Sequence, residues 1–245
     1  MSSYSNSNTG NVHGSLNQQS GNGNTYNAAP APRGAADAAG RPGNGQQHAL
    51  YAFADIVSYS RLNARLQQHS QHDLVDILQR GAAEAGVEPG DIAAQNQGDA
   101  QLLTFPEGTD AAKVLAVLPR FLNDELGVRN RDMAEHARMR VRLAFSMGLS
   151  GRGAAGLTGD APIAVARIAN SDVFRDAMRA APLARCGLLI DDYLHAQLVR
   201  QGFRADIDPE DYAPVRISYP EKGFDALTWM RLFGYSGPQT KSFLP

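Results

Sequence analysis

The sequence predicts an α+β domain built on a mixed, largely antiparallel sheet with helices on one face. Three observations carry this. Apolar runs with strand character and segments of helical spacing alternate between residues 49 and 233. A tight hairpin signal, Gly98-Asp99 between two short runs, interrupts that alternation and argues against a doubly wound parallel sheet. Composition also changes sharply near residue 47. Residues 2–47 are rich in Ser, Asn, Gly, Gln, Ala and Pro with almost no aliphatic bulk, whereas the remaining residues, about 198, suffice for one domain with a full core.

The chain divides accordingly into a disordered low-complexity tail over 1–47, a domain over 48–235 and a C-terminal tail over 236–245. Within the first tail, residues 8–27 form an Asn/Gly/Gln tract, and such tracts can stack as cross-β ladders. The tract resembles the short amyloid-forming signalling motifs at the ends of some bacterial immune and death-pathway proteins. Their aliphatic–Gln–aliphatic–Gly core reads here as Leu16-Asn-Gln-Gln-Ser-Gly21. Composition favours a solvated flexible tail; the resemblance implies self-assembly or partner docking through it.

In the domain, residues 49–57 read as a buried strand. Residues 60–86 follow as a helix with Leu62, Leu66, Leu74, Ile77 and Leu78 at helical spacing. His69 and His72 on that helix have no third ligand nearby and read as a solvated face. The hairpin occupies 91–105. A second amphipathic helix covers 109–126, and a polar connection covers 127–138. Residues 139–148 alternate as a strand, then a Gly-rich loop runs from Gly148 to Gly159. Helix is expected over 161–180 and 191–201, with strand over 187–190. Strands over 215–219 and 226–233 are joined by Pro220-Glu-Lys222-Gly223.

A net charge of −2 gives no global basic field for DNA. The single cysteine, Cys186, forms no intrachain disulfide. No apolar run approaches the roughly 20 residues of a membrane span, and no basic-then-apolar leader is visible. These features predict a soluble cytoplasmic protein that binds neither DNA nor membrane.

The chemistry centres on two acids. Asp55 ends the first strand just before the helical pattern that starts at Ser60. Backbone N–H groups at a helix start favour anions. A carboxylate there repels a phosphate unless a divalent cation lies between them. The hairpin, paired beside the first strand, would bring Asp99 close to Asp55, and two carboxylates at strand ends suit Mg²⁺. The ordinary roles of a helix-capping Asp55 and a turn-forming Asp99 stand beside this reading.

The ordered motifs resemble those of the class III nucleotidyl cyclases. Asp55-Ile-Val-Ser-Tyr-Ser-Arg-Leu62 is similar to that family's Asp-Ile-x-Gly-Phe-Thr-x-Leu. Gly98-Asp99 stands for its hairpin, and Arg140-Val-Arg-Leu-Ala-Phe-Ser-Met-Gly148 for its Arg-x-Arg-Ile-Gly-x-x-x-Gly strand. Gly159-Asp-Ala-Pro-Ile-Ala-Val-Ala-Arg167-Ile stands for Gly-Asp-x-Val-Asn-x-Ala-x-Arg-Leu, and Lys222-Gly223 for a late Lys-Gly. The resemblance implies a ferredoxin-like cyclase fold and conversion of a nucleoside triphosphate to a 3′,5′-cyclic nucleotide. It implies two-metal catalysis, with two Mg²⁺ or Mn²⁺ ions held by Asp55, the Ile56 carbonyl and Asp99, and Arg167 at the transition state. Ser58, Tyr59, Ser60, Gln95 and Lys222 would contact the nucleotide, and a homodimer would share the site.

Departures from the pattern are concentrated at the base end. Ile163 falls where the family has a transition-state Asn, Gln95 where it has Lys or Glu, Gly156 at a second base-reading position, and Ser58 where the first motif has Gly. Two readings follow: a cyclase with unusual base choice, or a catalytically degenerate nucleotide-binding or regulatory module in a bacterial signalling or defence system. Gly151-Arg-Gly-Ala-Ala-Gly156 matches a dinucleotide fingerprint by letter, but it follows a late strand rather than the first strand of a βαβ unit. No nucleophile-elbow sequence is present.

Overall fold

The computed structural model describes residues 46–153 and 156–245. The expected disordered tail lies outside the described residues except for Gln46 and Gln47, which open the first strand. Its expected self-assembly lies outside them entirely.

The first strand, β1 (Gln46–Ile56), is central. Leu50, Ala52, Ala54 and Ile56 enter one core layer, while Ala49, Tyr51 and Phe53 enter the other. A strand apolar on both faces must be covered on both. This corrects the expectation of helices on one face. Helices α1 (Ala64–Glu84) and α2 (Ala111–Asn130) cover the first layer. Helices α3 (Asp160–Ala169) and α4 (Asp172–Ala180) cover the second. Strand alternation places Asp55 on the second face, at the strand end.

The other strands are β2 (Ala93–Gln97), β3 (Ala100–Thr104), β4 (Val141–Gly153), β5 (Gly156–Thr158), β6 (Cys186–Asp191), β7 (Ala213–Tyr219) and β8 (Phe224–Leu232). They run in the order β2-β3-β1-β4-β6-β8-β7, with β5 paired to the end of β4. β4 and β6 are parallel, and the other pairings are antiparallel. The fold is therefore the expected mixed, largely antiparallel α+β arrangement.

Several boundaries move for local reasons. The helix expected from Ser60 begins at Ala64. Ser58 takes a left-handed φ of 61°, Tyr59–Arg61 make one 3-10 turn, and the Asn63 side chain then caps α1 by accepting from the Leu66 N–H at 2.9 Å. Helix α2 continues through residues expected as a polar connection. Its last residue, the buried Asn130, donates to the Met139 carbonyl at 2.7 Å and accepts from the Met139 N–H at 2.8 Å. The Gly-rich loop is largely strand: β4 runs on and β5 folds back, with Gly151 opposite Thr158. The helix expected over 161–180 is broken at Asn170, and Ser171 caps α4. The segment after β6 is one α-turn, α5 (Asp192–Leu194), followed by a π-helical turn over His195–Val199. Residues expected as a C-terminal tail carry α6 (Gly237–Ser242), started by a Ser236–Gln239 capping box. No helix among the described residues is long and apolar enough to cross a membrane.

Candidate functional site

Register brings the two acids together. Asp55 lies opposite Ala100 on β3 and opposite Arg142 on β4. Asp99 directly precedes Ala100, in a two-residue turn whose positive φ falls on Gly98 alone, at +72°. That is the pattern of a type II′ hairpin, which needs Gly at its first central position. Helix α1 holds both loops at this end. Gln71 donates to the Gly98 carbonyl at 2.6 Å, and Gln67 donates to the Tyr59 carbonyl at 3.4 Å.

Burial pushes the Asp55 carboxyl above its ordinary range; the Arg142 guanidinium opposes that shift, and the charge of Asp99 adds to it. Burial also raises the Tyr59 phenol, and Asp99 again adds. Asp99 therefore acts electrostatically on both groups. Arg142 donates to Asp55, is itself only 8% exposed, and leaves its Nε and Nη1 buried without a partner. Buried guanidinium N–H groups lacking acceptors are costly unless an anion completes them.

The donor set fits a hard divalent cation. Asp55 and Asp99 supply two carboxylates, Ile56 follows at the strand end, and among the described residues no cluster of three or more His, Cys, Asp or Glu forms a closed cage. Mg²⁺ takes such sparse protein ligands and fills its shell with water and phosphate oxygens. A cation there must share the Asp55 carboxylate with Arg142.

A second group of candidates lines an open cleft of about 880 Å³. Gln95 and Gln97 come from β2, Ile163 and Arg167 from α3, Arg175 from α4, and Lys222 from the turn between β7 and β8. Ile163 and Arg167 are one helical turn apart and share a face. Ile163 is 46% exposed there, an apolar surface at the position where the family pattern has an amide. The two cations rest on aromatic rings: Arg167 Cζ lies 5.3 Å from the Phe224 centroid and Lys222 Nζ 5.1 Å from that of Tyr219. Gly223, at φ +58°, lets the chain close the turn immediately after Lys222. Asp55 and Asp99 are not among the described lining residues.

The remaining candidates lie elsewhere. Ile56 and Ser58 border another cleft, of about 720 Å³, with Arg61, Arg138 and Arg140. Tyr59 packs half-buried against the first core layer, and Ser60 is exposed. The helix start expected beside Asp55 stands four residues further on, at Ala64. Three residues of this region escaped the sequence reading. Arg142 had a signal, an arginine alternating with buried apolar residues on a strand. Gln71 and Arg175 had none beyond their place on a polar helix face.

The sheet order and the two helical layers give the chain the fold of solved adenylate and guanylate cyclase domains, as the resemblance implied. Among solved structures, an adenylate/guanylate cyclase/hydrolase from Silicibacter pomeroyi is similar with TM-score 0.54 and 17% identity, over 78% of this chain and 99% of that one. A bacterial light-regulated adenylyl cyclase is similar at TM-score 0.52 and 14% identity, over 81% and 96%. A guanylyl cyclase is similar at TM-score 0.52 and 11% identity, over 78% and 98%. At these identities the likeness establishes the fold. No protein-family model and no curated protein sequence matches the chain.

Proposed function

We propose that the protein is a divergent nucleotidyl cyclase that converts a nucleoside triphosphate to a 3′,5′-cyclic nucleotide and pyrophosphate at a homodimer interface. The observation that carries this is the β1–β3 register, which sets Asp55 beside Asp99 while Gln95, Arg167 and Lys222 gather in a separate cleft. In the reaction the ribose 3′-oxygen loses its proton and bonds to the α-phosphorus, and the bond from that phosphorus to the β-phosphate oxygen breaks. Divalent cations bound at the acids would make the 3′-hydroxyl more acidic and neutralise the leaving pyrophosphate. Asp55, the Ile56 carbonyl and Asp99 would hold those cations in place. Arg142 keeps Nη2 on Asp55 and has its unpartnered Nε and Nη1 N–H groups for phosphate oxygens. Arg167 stabilises charge building on the α-phosphate, and Lys222 meets the terminal phosphates. Gln95 faces the base, while Ser58, Tyr59 and Ser60 approach the phosphates from the loop after β1.

Incubating the purified protein with each nucleoside triphosphate and Mg²⁺ or Mn²⁺, then measuring cyclic product by mass spectrometry, tests this reading. Asp55→Asn and Asp99→Asn should each abolish turnover with the fold intact. An active Asp99→Asn protein overturns the assignment of two divalent cations to the Asp55–Asp99 pair.

A second reading is supported by the exposed, apolar Ile163 and by Arg142 engaging Asp55. Under it the protein is a nucleotide-binding regulatory module without turnover. Nucleotide binding with no cyclic product from any triphosphate selects it.

A further inference from the structure

The cleft contains a third cation to which the cyclase reading gives no task. We propose that Arg175 is a phosphate-binding residue that leaves Asp172 to grip the anionic tail of the nucleotide, an inference that rests on the nucleotide reading above.

Arg175 lies one turn into α4 and lines the cleft on its helical wall, as Arg167 does from α3. Nη1 donates to Asp172 at 2.9 Å, and Nη2 reaches the Asn170 side-chain oxygen at 3.5 Å. These tethers are weak. The Arg175 and Asp172 side chains are 44% and 85% exposed, and an i,i+3 pair in solvent contributes little. They also engage only two of the five guanidinium N–H groups. A phosphate takes two parallel N–H donors from one guanidinium, a stronger contact than a single exposed carboxylate oxygen offers.

The charge of the cleft points the same way. Arg167, Arg175 and Lys222 face one acid, Asp172, among the described lining residues. Release of Arg175 from that acid exposes its full charge to an incoming anion. The β2 part of the lining, Gln95 and Gln97, carries neutral amides, which suit a base rather than a polyphosphate. Arg175 covers no core: its neighbours Phe174, Ala177 and Met178 fill the buried face of α4, and Arg175 stands on the other.

The ligand role and a merely structural role differ in sign. If Arg175 and Asp172 only staple the first turn of α4, removing either has the same small effect. If Arg175 binds phosphate, Arg175→Gln weakens triphosphate binding and Asp172→Asn strengthens it by freeing the guanidinium. Calorimetric titration of the full chain with a nucleoside triphosphate, its monophosphate and the bare nucleoside reads this directly. Arg175→Gln should weaken triphosphate binding about tenfold, the scale of one charge-assisted pair. The bare nucleoside should bind unchanged, and Arg175→Lys should recover part of the loss. Asp172→Asn should tighten triphosphate binding roughly two- to threefold, and that gain should vanish in the double variant. Melting temperatures confirm that each variant is folded. Triphosphate binding by wild type that Arg175→Gln leaves unchanged, or equal losses in both single variants, overturns the inference alone. A wild-type protein that binds no triphosphate overturns the nucleotide reading and this inference with it.

Discussion

Aromatic support for the cleft cations has a measurable consequence. Phe224 carries the Arg167 guanidinium on its face, so Phe224→Leu keeps an apolar neighbour but removes the ring that orients the charge. An exposed cation–π contact contributes about 0.5–1 kcal/mol. Under the cyclase reading, kcat should fall roughly two- to fivefold with little change in KM, because Arg167 acts on charge that develops in the transition state. A change confined to KM would instead place Arg167 on the ground-state nucleotide. A second residue is outside the site altogether. His195 opens the π-helical turn, stacks on Trp229 with centroids 3.5 Å apart, and leaves its buried Nε2 unpartnered. Burial holds its pKa below the ordinary value; Asp192 opposes this and Arg200 adds to it. The folded state thus favours neutral imidazole. Its contribution is present above the unfolded-state value near 6.5 and is lost as pH falls from there through the lowered folded value. Thermal melts from pH 7.5 to 5 should show wild type losing stability below about pH 6.5, and His195→Phe should flatten that slope. An unchanged slope would assign the acid sensitivity to another group.

At the level of elements, the end of α2 is fixed to the start of β4 by one amide. Asn130 satisfies both backbone groups of Met139, and Arg129 beside it bonds Asp73, Ser70 and the Ala137 carbonyl. Asn130→Ala leaves a buried N–H and a buried C=O unpaired, which costs about 3 kcal/mol. The melting temperature should drop by roughly 6–12 °C for a domain of this size, whereas a drop of under about 2 °C would mean that water replaces the amide. This joint also marks where sequence reading stopped short. The strands and the hairpin were legible because alternation and a Gly-Asp turn are local signals. The end of α2 was not, because 127–138 reads as a polar connection until Met139, nine residues beyond Asn130, supplies that buried amide with partners. The two-sided cover of the sheet was likewise written in β1, where both alternate sets of residues are apolar. At the site, Asp55 and Asp99 were visible as acids at strand ends, but the Arg142 contact depends on a register that no local pattern states.

For the whole molecule, the decisive question is where one complete site comes from. The described lining of the 880 Å³ cleft includes Arg167 and Lys222 but neither Asp55 nor Asp99. Metal and guanidinium groups open to water act on phosphate far less strongly than in an enclosed site. A second copy placed head to tail would lay the acids of one chain over the cleft of the other and form two equivalent sites, in the commonest closed symmetry. Asp55→Asn and Arg167→Ala proteins should then each be inactive alone, since every site in either homodimer lacks one group. Mixed and allowed to exchange, they form heterodimers in which one site carries both defects and the other none. In an equimolar statistical mixture half of the dimers are of this kind, so activity should return to about a quarter of the wild-type value per chain. Native mass spectrometry counts the heterodimers, and cyclic product measures the recovery. Heterodimers that form without recovering activity would mean that Asp55 and Arg167 act within one chain, and the shared site would have to be abandoned.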